Sequence, residues 1–438
     1  MALAPTRLSW ATSIALGLIC VACSRPSSEN IQLWKTTQKG PERLHEALAD
    51  HGTEPRLRAE AAVALVDIGR ADEVDAVLMQ ASADDRAEIA KTLIPAYEVA
   101  MKDPSPERAL AYRDALYSLR QSLPPDDQKR IDAELLPVLE ASLKGGKLRQ
   151  GRHSLDKMLT AMGPDAGAML AKLCAEPDVP LHQTTELLAK VGDEAARERC
   201  AAALVAHAPP APGKDRDKDK APRADVFLKA LGTLGGPSAV KFLEAKATGA
   251  DKDEALLATR ALGERRDPAV LAFALKVAAD PKADRALRDE MFGVVEGIGG
   301  LEAETGLVGI ISSDKDEIVR YRAFESVLAA RKADGIQPGL EAFPASASYK
   351  KVDVDDLLVK LIEKLGESAR PALVRTLGSH VALARMTAAM ALEQIGRAPD
   401  APALDKLAGD TAPIKGFPTG ETVGKQATHA ANAVRKRS

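Results

Sequence analysis

Nucleophilic catalysis needs a serine or cysteine with a histidine in reach, so the seven histidines are the first residues to weigh. They stand at 45, 51, 153, 182, 207, 380 and 429, scattered and mostly near helix ends or polar faces. None accompanies a Gly-x-Ser-x-Gly elbow, and no two stand four apart, the spacing that lets one helix face grip a metal. Gly297-Ile298-Gly299-Gly300 resembles a phosphate loop only superficially, since no strand precedes it and the third glycine is missing. Acidic pairs such as Asp355-Asp356 are as abundant as on any solvated helix face. These patterns predict no catalytic residue, no metal ligand and no cofactor, and they single out no binding residue.

Cysteine offers the other chemistry. Cys20 and Cys23 make the single Cys-x-x-Cys pair, and Cys20 lies within the apolar N-terminal run. Cys174 and Cys200 are the other two cysteines. Both sit at core-facing offsets on the second helices of successive units, so they are a candidate disulfide if the chain is exported. Packed helices lie about 8–10 Å apart, whereas a disulfide needs Cα atoms within about 7 Å. Small neighbours such as Ala171 and Ala201 would allow that approach; buried free thiols are the alternative.

The elements that must position these residues are helices. A glycine recurs between two amphipathic stretches, at 69, 163, 192, 235, 263, 299, 366 and 396. Counting back from Gly69 gives Leu65, Ala61 and Leu57; from Gly299, Val295, Met291 and Leu287; from Gly366, Ile362, Leu358 and Val354; from Gly396, Leu392, Ala388 and Ala384. Each set lies on one face of a 3.6-residue helix. The glycine is expected to end that helix in the left-handed cap conformation. A shorter stripe follows, as in Val74, Val77 and Leu78 or Ala401, Leu404 and Leu407. A helix pair apolar on one side cannot bury its face alone, and stacking neighbours solves this. The period is about 30 residues, giving roughly ten units.

The run Val66-Asp67-Ile68-Gly69-Arg70-Ala71-Asp72-Glu73-Val74 resembles the short HEAT-like repeat, of the kind also found in phycobilin lyases. The resemblance covers most of residues 40–410 and implies an all-α fold, an α-solenoid of stacked helix pairs. It departs over residues 83–146, where helices read longer and no clean turn glycine stands. Iron-binding HEAT enzymes carry several His-Glu dipeptides; this chain has one, His45-Glu46, which a helix surface explains. The expected organisation is helix pairs over 31–208 and 224–410, separated by the Pro-, Lys- and Asp-rich loop 209–223 and closed by a capping segment, 411–438. Within that segment, 422–436 reads as a final helix.

Residues 1–22 read as a signal peptide: Arg7, then an apolar run shorter than the roughly 20 residues that span a bilayer. Val21-Ala22-Cys23 resembles the lipobox of bacterial lipoproteins, with Cys20 where leucine is usual. That resemblance implies lipid on Cys23, a Ser- and Pro-rich tether over 23–30, and stable anchoring by several acyl chains. Ser24, in place of Asp, implies the outer membrane facing the periplasm. A plain secretory signal cleaved near Ala22 is the alternative.

Composition narrows the function. Aromatics are 3% of the chain, which argues against base-stacking single-strand binders, and a net charge of −3 offers no excess for gripping duplex phosphates. The expectation is a membrane-anchored, non-catalytic scaffold in the bacterial cell envelope. It would bind protein partners on a concave helical surface, with no nucleic acid and no evident small-molecule substrate. A lyase-like accessory enzyme on the same scaffold, or a self-associating spacer, is the alternative. Asp72, Asp75, Lys241, Glu244, Arg375 and Lys406 on second helices are unranked surface candidates.

Overall fold

The computed structural model describes residues 25–144, 151–174, 176–208 and 224–437. The signal segment, the lipobox cysteine Cys23 and the loop 209–223 lie outside the described residues. Among those described, the chain is built of helices, and the one β contact is an isolated antiparallel bridge between Pro413 and Thr422. The fold is the α-solenoid expected. It divides into two compact units, Met1–Ala196 and Arg197–Ser438.

Helices alternate across very short turns. Gly163 ends Leu155–Met162 and begins Pro164–Leu173; Gly235 does the same for Ala224–Leu234 and Gly236–Ala247, and Gly299 for Arg285–Ile298 and Gly300–Ser313. One residue reverses the chain, and its backbone explains the amino acid. Gly299 has φ 68 and ψ −160, which is not the expected left-handed cap but a region essentially closed to any residue with a Cβ. Gly192 and Gly396 differ again: their φ values are negative and their backbones extended. A Cβ on Gly192 would sit 2.7 Å from the Leu188 carbonyl oxygen, so lack of space selects glycine there.

The apolar stripes are buried largely as read. Leu65, Ala61, Val295, Met291, Leu392, Ala388 and Ala384 have 0% exposure, as do Leu358, Val354 and Ile362. Each large aliphatic side chain removed from water contributes about 1.5–3 kcal/mol. Leu57 and Leu287, expected in the stripe, are only half-buried. The neighbouring Arg58 and Arg288 take the interior place. Arg288 Nε donates to the Ala278 carbonyl at 2.7 Å and a terminal nitrogen donates to Asp314 at 2.6 Å. Arg58 repeats the pattern with the Leu48 carbonyl at 2.9 Å and Asp85 at 2.6 Å, and Arg385 with the Ser379 carbonyl and Asp410, both at 2.7 Å. Each arginine thus ties the preceding helix end to the next helix pair. Shallower pairs carry the same period: Arg260–Glu290, Arg370–Asp400 and Arg435–Asp405 each bridge positions 30 apart.

Three long helices, Ala83–Met101, Pro106–Gln121 and Pro125–Lys144, fill the stretch where the repeat departs from pattern. A helix also opens inside the expected tether, because Ser27 caps Ser28–Trp34 and this helix buries Ile31 and Trp34. At the other end, Val423–Arg435 buries Val423, Ala427, Ala430, Ala431 and Val434. The segment before it reaches back to the loop 342–350: Lys415 Nζ donates to the Ser346 carbonyl at 2.7 Å, and Tyr349 N–H donates to the Lys415 carbonyl at 2.8 Å. No described helix is long and apolar enough to cross a membrane.

Candidate functional site

In the first compact unit, the irregular long helices leave a cavity of about 720 Å³. Ala71–Gln80 contributes Asp72, Asp75, Leu78 and Met79, and Arg86 comes from the first turns of Ala83–Met101. Ser118 and Gln121 come from Pro106–Gln121, and Arg152 and His153 from the segment leading into Leu155–Met162. Residues as far apart in sequence as Asp72 and His153 therefore face one space.

The 151–153 segment is held from below by a buried ion pair. Arg113 donates from Nε and a terminal nitrogen to Asp114, at 2.9 and 2.6 Å. The other Asp114 oxygen accepts the His153 backbone N–H at 3.3 Å, while Arg113 donates to the His153 carbonyl at 3.3 Å. Gly151 is needed because a Cβ there would collide with the Asp114 carboxylate and lie 2.8 Å from the Arg113 guanidinium. This clamp fixes the His153 backbone, and the ring then packs edge-on against Tyr117 at 4.9 Å.

The polar groups inside the cavity mostly engage one another. Arg152 bridges Asp72 and Asp75, at 2.6 Å from the latter. Burial pushes the Asp75 carboxyl above its ordinary value, against the pull of Arg152 and Ser118. Ser118 Oγ and His153 Nε2 are 2.8 Å apart. Burial pushes the His153 imidazole below its ordinary value, and the charges of Arg152 and Lys157 add to that, opposed by Asp114 and Asp75. Arg86 differs from these. One terminal nitrogen reaches only the Leu78 and Met79 carbonyls, at 3.3 and 3.5 Å, and its buried Nε–H meets no acceptor. Met79 stands 70% exposed beside it.

A serine hydroxyl against an imidazole is half of a nucleophilic device. The usual third group, a carboxylate orienting the imidazole from its far side, has a different task here. Asp114 holds backbone, and Asp75 faces Arg152 and Ser118. Among the described residues, no group of three or more His, Cys, Asp or Glu side chains could hold a metal ion. His45 pairs with Glu73 at 3.3 Å.

Of the surface candidates, Asp72 and Asp75 come together in this cavity, whereas Lys241, Glu244, Arg375 and Lys406 line none of the four cavities described. Sequence reasoning missed Ser118, Arg86 and the Arg113–Asp114 clamp. Their one local signal is Gly151-Arg152-His153, a glycine directly before two polar residues. In the second unit, Phe343, Tyr349, Leu383 and Ile414 line a smaller cavity of about 460 Å³. Cys174 caps the end of Pro164–Leu173 and Cys200 lies in Glu194–Ala206; both are buried and each is disulfide-bonded.

No family model matches the chain. No curated protein matches it. Solved helical proteins do. An engineered protein is 19% identical, with 90% of this chain and 98% of that one covered and a TM-score of 0.30. Kap121p bound to the extreme C-terminus of the phosphatase Cdc14p is 14% identical, with a TM-score of 0.39; 92% of this chain matches 42% of that one. Human deoxyhypusine hydroxylase in complex with glycerol is 13% identical over 80% of this chain and 98% of that one, with a TM-score of 0.19. The chain thus spans about two fifths of the karyopherin.

Proposed function

We propose that this chain is a protein-binding scaffold, anchored in the bacterial cell envelope through lipid on Cys23, and that it performs no catalysis. The observation that carries the reading is the state of the cavity's polar groups. Asp72, Asp75 and Arg152 are bound to one another, and Ser118 to His153. A rim of mixed charge around the exposed Met79 suits recognition of another chain, since anchoring apolar side chains ringed by polar groups are how protein interfaces are built. The stacked helix pairs supply the extended surface, as solenoids commonly do.

The test is cross-linking in intact native cells, then purification from the membrane fraction. A discrete partner that is recovered with the full-length protein, and lost when Cys23→Ala releases it, is the expected result. Recovery of the protein alone, or only with itself, would sink the scaffold reading in favour of a self-associating spacer.

One observation favours a second reading, acyl transfer: the 2.8 Å contact of Ser118 with His153. A fluorophosphonate probe decides it. Labelling at Ser118, abolished by His153→Gln, would make the cavity an active site; no labelling is expected.

A further inference from the structure

The cavity in the first compact unit carries two unmatched charges of opposite sign. On Ala71–Gln80 two carboxylates, Asp72 and Asp75, share a single cation, Arg152. That leaves one negative charge in surplus, and it is reachable at Asp72, whose side chain is 82% exposed. In the first turn of the next helix, Ala83–Met101, Arg86 also lines the cavity and has no carboxylate partner among the described residues. It touches only the Leu78 and Met79 carbonyls, at 3.3 and 3.5 Å, and its Nε–H lacks an acceptor. A half-buried guanidinium satisfied only by long carbonyl contacts is a charge that the fold has not neutralised, and arginine's forked donors match a carboxylate. Met79, on the same helix as Asp72 and Asp75 and touching Arg86 through its carbonyl, offers an exposed apolar and adaptable contact.

We infer that this cavity recognises a mixed-charge peptide segment, with an acidic side chain placed against Arg86 and a basic side chain placed against Asp72. The inference rests on the scaffold reading and deepens it. A volume of about 720 Å³ lies within the range of about 300–1,000 Å³ seen for specific ligand pockets, and accommodates a few side chains rather than a whole domain. A ligand of one sign would meet repulsion from Arg86 or from Asp72, so complementarity requires both signs within one cavity. A free zwitterion such as an amino acid shares this chemistry without a peptide, and the test separates the two sources.

The test is selection of a random peptide display library on the full-length protein and on two variants, Arg86→Gln and Asp72→Asn. Circular dichroism melts confirm that each variant folds, and Arg86→Lys replaces Arg86→Gln if the glutamine variant does not. The wild type is expected to enrich peptides carrying both an acidic and a basic residue, at least threefold over the unselected library. Arg86→Gln should abolish the acidic enrichment alone, and Asp72→Asn the basic enrichment alone; Arg86→Lys should weaken the acidic enrichment without abolishing it. If the wild type selects peptides with no charge pattern, or if both variants keep the wild-type pattern, the inference is overturned while the scaffold reading stands. If no peptide is selected and free glutamate or lysine raises the melting temperature in a manner dependent on Arg86 or Asp72, the cavity is a small-molecule site and both readings fall. Selection of nothing, with no shift from either amino acid, also overturns the inference.

Discussion

Replacing Arg288 with alanine should open the solenoid locally at one junction. Arg288 and Asp314 side chains are each 9% exposed, and the guanidinium also satisfies the Ala278 carbonyl at 2.7 Å. Truncation leaves a buried carboxylate without its cation and a buried carbonyl without its donor. Breaking such a pair costs about 3–5 kcal/mol, chiefly the penalty of the charge left behind. Stability in a repeat array is a sum of units and nearest-neighbour interfaces, so the loss should fall on the helices around the junction. Hydrogen exchange reads it directly. Protected amides in Arg285–Ile298 and Gly300–Ser313 should exchange faster by about two to three and a half powers of ten, while those in Gly40–Ala49 remain at the wild-type rate. Two controls sharpen the result. Lys252→Ala breaks the Lys252–Asp284 pair, similarly placed between helix pairs but largely exposed, and should change exchange little. The double variant Arg288→Met with Asp314→Leu should recover most of the loss, since an apolar pair of similar volume often replaces a buried ion pair without cost. Arg288→Ala exchanging no faster than Lys252→Ala would refute the reasoning, and so would a loss spread evenly over the chain.

Gly151→Ala should displace the segment carrying Arg152 and His153, because its Cβ meets the Arg113–Asp114 clamp; overpacking of this kind costs about 1–3 kcal/mol. Proton NMR of His153 checks it: the imidazole, held below 6.5 mainly by burial in the wild type, should titrate closer to 6.5 in the variant. Burial pushes Asp67 up, but hydrogen bonds from Lys35 and Tyr112 and the charges of Lys35 and Arg108 hold it below 3.8. Its folded value is depressed, so its contribution is complete above 3.8 and lost as pH falls through the folded value; Tyr112→Phe should therefore move acid unfolding, followed by circular dichroism, to higher pH. Thiol labelling of the denatured, unreduced mature protein should find Cys174 and Cys200 unreactive, whereas two labelled thiols would show that they are free.

The helix pairs were legible because two independent signals coincide, an apolar stripe of period 3.6 and a glycine at a fixed offset from it. The arginine ties were not. Arg58 and Arg288 directly follow Leu57 and Leu287, and a template that seeks apolar residues takes the leucine and passes over the arginine. What buries the arginine is a carbonyl 10 residues back and a carboxylate 26 or 27 ahead, partners that no local window contains. The π-helical turn Asp355–Val359 was equally hidden, since it adds one residue to a turn whose apolar pattern reads as ordinary helix. The cavity lies where residues 83–146 depart from the repeat, and that departure was visible. Beyond Asp72 and Asp75 its contents were not, because Asp75, Ser118 and His153 come from separate elements that meet only in the packed fold.

The backward reach of Lys415 sets an order on how this protein comes into being. Arg58, Arg288 and Arg385 find their partners within 27 residues, so those contacts close almost as soon as the chain is made. Low contact order of this kind favours early and rapid folding of each pair. The loop 342–350 must wait longer than these, since Ser346 meets its partner 69 residues downstream. Until residue 415 has been synthesised, Phe343 and Tyr349 lack the segment that completes their surroundings, and a ribosome stalled before that point would hold a nascent chain with an unfinished aromatic edge. A nonsense mutation anywhere between the two contacts would leave the same edge bare, so the segment 413–415 completes the 342–350 loop as well as closing the array.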